Sequence, residues 1–224
     1  FRSKFQNYKS YATATFDKMF TKEELKGALV LEANDFANSY LKNMGNGKFE
    51  MIPLPGVAQY SCLNGRVAED FDGDGILDLL INGNDFSTEV SVGRYDACNG
   101  LFLKGNGKGG FSPLTILQSG WFVPGNGKAL VKLRSSSGKC LVAARQNKGP
   151  LKVFESKRNI QTVQLQSMDV SAMVKYKNGT TQKREVGYGS SFVEQSGRFV
   201  TVDNHGASID IKATNGNTRQ IIIQ

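Results

Sequence analysis

Histidine is almost missing from this chain: among 224 residues only His205 occurs, in a Gly/Asn/Asp-flavoured turn, VDNHGAS. One imidazole severely restricts triad chemistry, and neither HExxH nor GxSxG occurs. The plain reading of His205 is a solvated loop residue. Cysteine is scarce too. Cys62, Cys98 and Cys140 lie far apart and form no CxxC, which argues against a disulfide framework and a structural zinc site. One bridge stays open, but buried free thiols are the favoured reading. The Gly-Lys dipeptides at 47–48, 107–108, 127–128 and 138–139 lack the Ser or Thr that would follow in a phosphate-binding loop. No apolar run approaches the ~18 residues of a membrane span, so a soluble chain is expected. The chain opens at Phe1 with no initiator Met and no signal-peptide pattern, as expected of a processed chain or an excised piece; localisation is not read directly.

What is present is unevenly distributed. The net charge of +8 divides into 12 Lys/Arg against 14 Asp/Glu over residues 1–127 and 16 against 6 over residues 128–224. A basic C-terminal part could meet nucleic acid, anionic headgroups or an acidic neighbour. Its cations are scattered among strand-like segments without interleaved aromatics, so a solvated basic surface is the leading reading and nucleic acid is not favoured.

Periodicity divides the chain in three. Phe5, Tyr8, Ala12, Phe16, Met19 and Phe20 recur at spacings of three and four, which predicts an amphipathic helix over most of residues 5–18. Thr21 and Glu24 in TKEEL fit a capping box opening a second, short helix. From about Ala28 onward, short apolar runs alternate with Gly/Asn turns, an all-β pattern. Those turns repeat: GNGKFEMIPL (45–54), GNGKGGFSPL (105–114) and GNGKAL (125–130) share a core. NGRVAEDFDGDGILDLLINGN (64–84) corresponds to NGKALVKLRSSSGKCLVAARQN (126–147) with one residue inserted. A period of about 60 residues with Gly-rich turns points to propeller blades. After Arg158, VSAMVKYKNGTTQKREVGYG and SIDIKATNGNTRQIIIQ each read as strand, Asn-Gly turn, strand, with two-residue turns at Asn178-Gly179 and Asn215-Gly216. SSFVEQSGRFVTV supplies a further expected strand pair. Asn178-Gly179-Thr180 also matches a glycosylation acceptor, but the hairpin accounts for it without sugar.

The chemistry concentrates in EDFDGDGILD. Asp70, Asp72, Asp74 and Asp78 stand at positions 1, 3, 5 and 9 of D-x-D-x-D-G-x-x-D, where alternate side chains can converge. Gly73 and Gly75 let the backbone curl so that a carbonyl, best that of Ile76, joins them. An oxygen-only set suits a hard cation, and calcium tolerates irregular geometry better than magnesium. An EF-hand is excluded, because position 12 is Ile81 and the flank reads as a strand. The competing reading is a solvated acidic turn without an ion. At an effective dielectric of ~20, like charges ~4 Å apart repel by about 4 kcal/mol, which favours a bound cation.

DFDGDGILDLLINGND, preceded by NSYLKNMGNGKFEMIPL, resembles the FG-GAP or VCBS-type repeat of integrin-like β-propellers, whose calcium loops follow D-x-D-x-D-G-x-x-D. VKYKNGTTQKREVGYGSSFVEQSGRFVTV resembles the ASPIC/UnbV module that follows such repeats. After the N-terminal helical segment (1–35), the resemblance covers residues 36–224 and implies a mainly β chain, with a partial β-propeller of about two blades (36–157) and a C-terminal antiparallel β module (158–224). Two blades leave open edges, so further blades on absent sequence or another chain are expected partners. In the second copy Lys132, Arg134, Ser136 and Leu141 replace the four aspartates, and no metal is expected there. Its cations are expected instead to face a neighbouring acidic surface, or its SSSG turn to keep the blade geometry.

The implied function is a calcium-stabilised, non-catalytic binding or assembly protein acting through protein-protein contacts outside the cytoplasm, at a bacterial cell surface, with an outer-membrane uptake complex and glycans as candidate partners. The alternative is a carbohydrate-active enzyme or its accessory domain, since a carboxylate pair for glycoside hydrolysis can meet in space without a sequence motif.

Overall fold

The computed structural model describes residues 2–189 and 191–223, so the Gly-Tyr-Gly-Ser-Ser run passes outside the described residues at Ser190. It divides into two compact units, residues 1–36 and 37–224. Fifteen strands, three short α-helices and one 3-10 turn (Gly56–Gln59) occur among the described residues, making the chain mainly β.

In the first unit the expected long helix is broken in two: α1 (Tyr8–Ala12) and α2 (Phe16–Met19). Thr13 ends α1 with its hydroxyl on the Lys9 carbonyl (3.0 Å), and Thr15 opens α2 in extended geometry, so the Thr-Ala-Thr link turns the chain where the apolar spacing alone would have continued it. The Thr21–Glu24 capping box forms both of its hydrogen bonds (2.8 and 3.2 Å), yet residues 22–27 only turn and the second helix is absent. No residue of 2–36 is buried, so packing adds nothing to propensity there.

The second unit opens with the hairpin of β1 (Ser39–Gly45) and β2 (Lys48–Pro53). Asn46 and Gly47 both take positive φ (51° and 71°), the two-residue turn whose twist matches the flanking strands. Four strands then form an antiparallel meander in chain order: β3 (Leu63–Glu69), β4 (Asp78–Gly83), β5 (Leu101–Gly105) and β6 (Phe111–Leu114). After α3 (Ile116–Ser119), β7 (Gly127–Arg134), β8 (Cys140–Gln146) and β9 (Lys152–Glu155) make a three-stranded meander. The two meanders carry the two copies of the longer repeat. The third GNGK leads into β7 and is not a hairpin turn. No propeller is assembled from these sheets among the described residues.

Val67 and Leu80 of the first sheet share one core with Leu130, Val142 and Ala144 of the second, closed by Trp121 and Val123. Gly65 permits the approach: a Cβ there would lie 2.5 Å from both the Asn82 Oδ1 and the Leu130 nitrogen. The buried Asn82 accepts from the Gly65 N–H (3.0 Å) and donates to the Ala129 carbonyl (3.2 Å), joining the sheets at backbone level.

The C-terminal region places β12 (Thr181–Glu185), β11 (Asp169–Tyr176), β14 (Gly206–Ala213) and β15 (Thr218–Ile222) in one antiparallel sheet, over a pair made by β10 (Ile160–Gln164) and β13 (Phe199–Asp203). Val174, Ile209 and Ile211 are fully enclosed between them. The turns fall at the expected Asn-Gly pairs but are longer than expected. Only Gly179 and Gly216 take positive φ, and Tyr176 pairs with Thr180 as Ala213 does with Asn217, giving three-residue loops with a glycine bulge. The expected strand pair within SSFVEQSGRFVTV is also corrected. Only its last part is a strand, β13, and its partner is β10. The preceding residues bind other backbones instead: the Ser191 hydroxyl accepts from the Arg66 N–H (2.8 Å), and the Ser196 hydroxyl from the Lys132 N–H (2.9 Å). All three cysteines are free, with Cys98 and Cys140 buried as expected and Cys62 exposed against expectation. His205 is exposed as expected, its ring hydrogen-bonded to Asp203 (3.1 Å).

Candidate metal centre

The acidic loop is the β3–β4 connection. Glu69 and Asp78 face each other across the hairpin, so residues 70–77 must turn between them. Gly73 and Gly75 make that possible at φ 87° and 82°. Their N–H groups both donate to Asp70, to separate carboxylate oxygens, at 2.6 and 3.1 Å. Asp78 is fully buried and accepts from the Phe71 N–H (3.1 Å) and, from the neighbouring strand, the Gly105 N–H (3.0 Å). Asp70, Asp72 and Asp78 each bring a carboxylate oxygen within 4.8 Å of the others.

Asp74 stands apart from this trio. Its Oδ1 accepts from the Ile76 N–H (2.8 Å), and its Oδ2 lies 3.1 Å from the Lys104 ammonium. Lys104 also donates to Asp72 Oδ2. Ile76 is half-buried at the end of the loop, its backbone fixed beside Asp74.

Burial sets the electrostatics. It pushes the Asp78 carboxyl up to about 6, with the Asp72 and Asp74 charges adding to the rise. Burial raises Asp70 as well, against the pull of two N–H groups and Arg158. For Asp72 the burial effect is outweighed by Lys104, and its carboxyl sits below the ordinary range. The buried Asp78 and half-buried Asp70 thus have carboxyls above the ordinary range, beside a more exposed Asp72 that lies below it. Oxygen-only donors of this kind fit a divalent cation, whose identity they do not fix.

The C-terminal region grips the same loop. The Arg158 guanidinium donates to the Asp70 carbonyl (3.0 Å), lies 3.7 Å from its carboxylate, and is paired with buried Asp203 (2.5 Å). Gln182 donates to the Gly75 carbonyl (3.1 Å). A side chain at position 73 would overlap Arg158. Directly before the loop, buried Glu69 accepts from Lys132 (2.7 Å) and pairs with Arg184 (2.6 Å). Despite burial, these two cations hold its carboxyl at about 2. Lys132 therefore meets an acidic neighbour, as expected of the second copy. It does so from within β7, where Arg134 also lies; Leu141 lies in β8, and the second copy's own loop is only residues 135–139.

Sequence reasoning missed Lys104, Arg158, Gln182 and the Glu69 pairing. No local signal marked them, because each reaches the loop from a distant strand or link. No family model matches the chain, and no curated protein matches it at a significant level.

Proposed function

We propose that this chain is a calcium-stabilised, non-catalytic binding or assembly protein, built from FG-GAP/VCBS-like β repeats followed by an ASPIC/UnbV-like module. The observation that carries this reading is the convergence of Asp70, Asp72 and Asp78 in the hairpin loop of an antiparallel meander. Asp74 and the Ile76 carbonyl would complete the ligand set. A calcium ion held there would cancel the repulsion among the carboxylates and tie β3 to β4. The chain's own part is to orient the oxygens: four backbone N–H groups fix Asp70 and Asp78, and Arg158 and Gln182 bind the Asp70 and Gly75 carbonyls.

The repeats support a partial propeller of about two blades whose neighbours are further blades. β1 pairs only with β2 among the described residues, and a groove of about 910 Å³ runs from β1 across Leu63, Leu79 and Ile81 to the acidic loop. An unpaired strand edge beside an apolar floor suits an added strand. Placement at a bacterial surface, in an outer-membrane uptake complex with protein or glycan partners, rests on the resemblance alone.

The test is calorimetric titration with calcium, alongside melting with and without chelator. Binding should raise stability by about 2.7 kcal/mol at one hundred times the dissociation constant, and Asp72→Ala should weaken that response. No heat of binding together with an unmoved melting curve would leave an acidic turn and refute the metal assignment. A glycan panel run beside a hydrolysis assay tests the absence of catalysis, since turnover would establish the enzyme.

A further inference from the structure

Both Asp72 oxygens are already engaged: Oδ1 accepts from the Asp74 N–H (3.2 Å), and Oδ2 accepts from Lys104. Both Asp74 oxygens are engaged as well, by the Ile76 N–H and by Lys104. One ammonium thus occupies one oxygen on each of two carboxylates of a five-residue ligand set, bridging Asp72 of the convergent trio to Asp74 outside it. Lys104 is on β5, immediately before Gly105, whose N–H holds Asp78. The same strand that builds the site from below also delivers a positive charge across its mouth. Lys104 and Asp72 are both partly exposed, at 39% and 31%, so the lysine can swing into solvent without opening the core.

We propose that Lys104 is a tethered counter-cation that occupies the Asp72–Asp74 edge of the loop and must be displaced when a divalent cation binds, so that it sets the site's affinity. The inference rests on the metal reading above. Two effects of Lys104 act in the same direction: a cation needs oxygens that the ammonium holds, and the ammonium repels a second positive charge at close range. Losing Lys104 therefore strengthens binding, although the residue is bonded to the site and looks like one of its supports. In the absence of the ion its effect is reversed, because it is then the charge that keeps Asp72 and Asp74 close together.

The experiment is calcium titration calorimetry and thermal melting of the full chain as wild type, Lys104→Gln, Lys104→Ala, Lys104→Arg and Lys108→Gln, with circular dichroism to verify folding. Both neutral Lys104 variants should bind calcium roughly 3- to 10-fold more tightly, the range expected from losing two partly exposed ion pairs. They should melt lower in chelator and show a larger rise on adding calcium. Lys104→Arg keeps the tethered charge and Lys108→Gln removes a charge from the same β5–β6 hairpin without touching the loop; both should stay close to wild type. Unchanged or weaker binding in the neutral variants, with wild type binding normally, overturns the proposal and leaves the metal reading standing. A lysine that merely props the fold would lower both melting curves equally and would be revealed by that pattern. If wild type and neutral variants alike bind no calcium at millimolar concentration, the metal reading itself falls, and the proposal with it.

Discussion

Replacing Glu69 with leucine should be among the most damaging single changes to this protein. Glu69 is 3% exposed and lies between Lys132 at 2.7 Å and Arg184 at 2.6 Å. At an effective dielectric of ~20, each contact is worth roughly 6 kcal/mol before solvation is counted. Most of that is offset by the desolvation of three charges, so the intact cluster contributes far less than the gross sum. Removing the anion cancels the attraction but leaves both cations half-buried, with side chains at 16% and 10% exposure. The expected loss is about 2–4 kcal/mol, somewhat below the roughly 3–5 kcal/mol of stranding a fully buried charge, because both cations keep some contact with water. Urea unfolding followed by the fluorescence of Trp121, the only tryptophan and itself buried, reads this as a lower midpoint at constant slope. Adding Lys132→Met should return part of the loss, with a coupling energy above about 1 kcal/mol. A cost for Glu69→Leu below about 1 kcal/mol, or strictly additive effects in the double variant, would show that the cluster behaves like an exposed pair and refute the reasoning.

The acid limb of stability should depend on Asp169, which is buried and receives two hydrogen bonds of 2.6 Å from Arg219 that hold its carboxyl below the ordinary range. A folded-state value below the unfolded one gives stability that is complete above about pH 4 and lost as pH falls through the folded value, so Asp169→Asn should flatten the melting temperature measured between about pH 6 and about pH 2; an unchanged acid limb would assign it to other carboxylates. Asn84→Ala should cost at least about 3 kcal/mol, because fully buried Asn84 accepts from the Ser61 hydroxyl and the Cys98 N–H and donates to the Cys98 and Gly125 carbonyls, groups left unsatisfied without it. Denaturant unfolding within about 1 kcal/mol of wild type would show that water replaces those bonds.

The parts of the fold legible in the sequence were those in which neighbouring residues decide the outcome. Alternation and Asn-Gly pairs located β11–β12 and β14–β15, and D-x-D-x-D-G-x-x-D placed Asp70, Asp72 and Asp78 close enough to converge. Local rules failed where two local signals competed, as in Thr13–Thr15, where the Thr13 hydroxyl bond to Lys9 and the extended backbone of Thr15 interrupt an apolar helical stripe that buries nothing. They failed again where a segment's hydrogen bonds lie far away in sequence, as Ser191 and Ser196 bind the backbones of β3 and β7. The Lys104 bridge between Asp72 and Asp74 was illegible for the same reason, since Lys104 comes from two strands further on. The turn length at Asn178 and Asn215 depends on which residue adopts positive φ, and Asn-Gly permits either outcome.

The acidic loop and its grip belong to different stages of the chain's emergence during synthesis. The aspartates that could hold an ion span only residues 70–78, so a nine-residue stretch brings them together before β5 and all later strands have been made. The contacts that hold the loop from outside arrive much later: Gln182 reaches Gly75 across 107 residues, Arg158 reaches Asp70 across 88, and Lys132 reaches Glu69 across 63. Closing such long spans carries a loop-entropy cost before any contact rewards it. The nascent first sheet would therefore carry a charged and uncovered hairpin for as long as translation of the C-terminal strands takes. During that interval, the hairpin has only its own bonds to hold its shape, chiefly those from the Gly73 and Gly75 N–H groups to Asp70 and from the Phe71 N–H to Asp78.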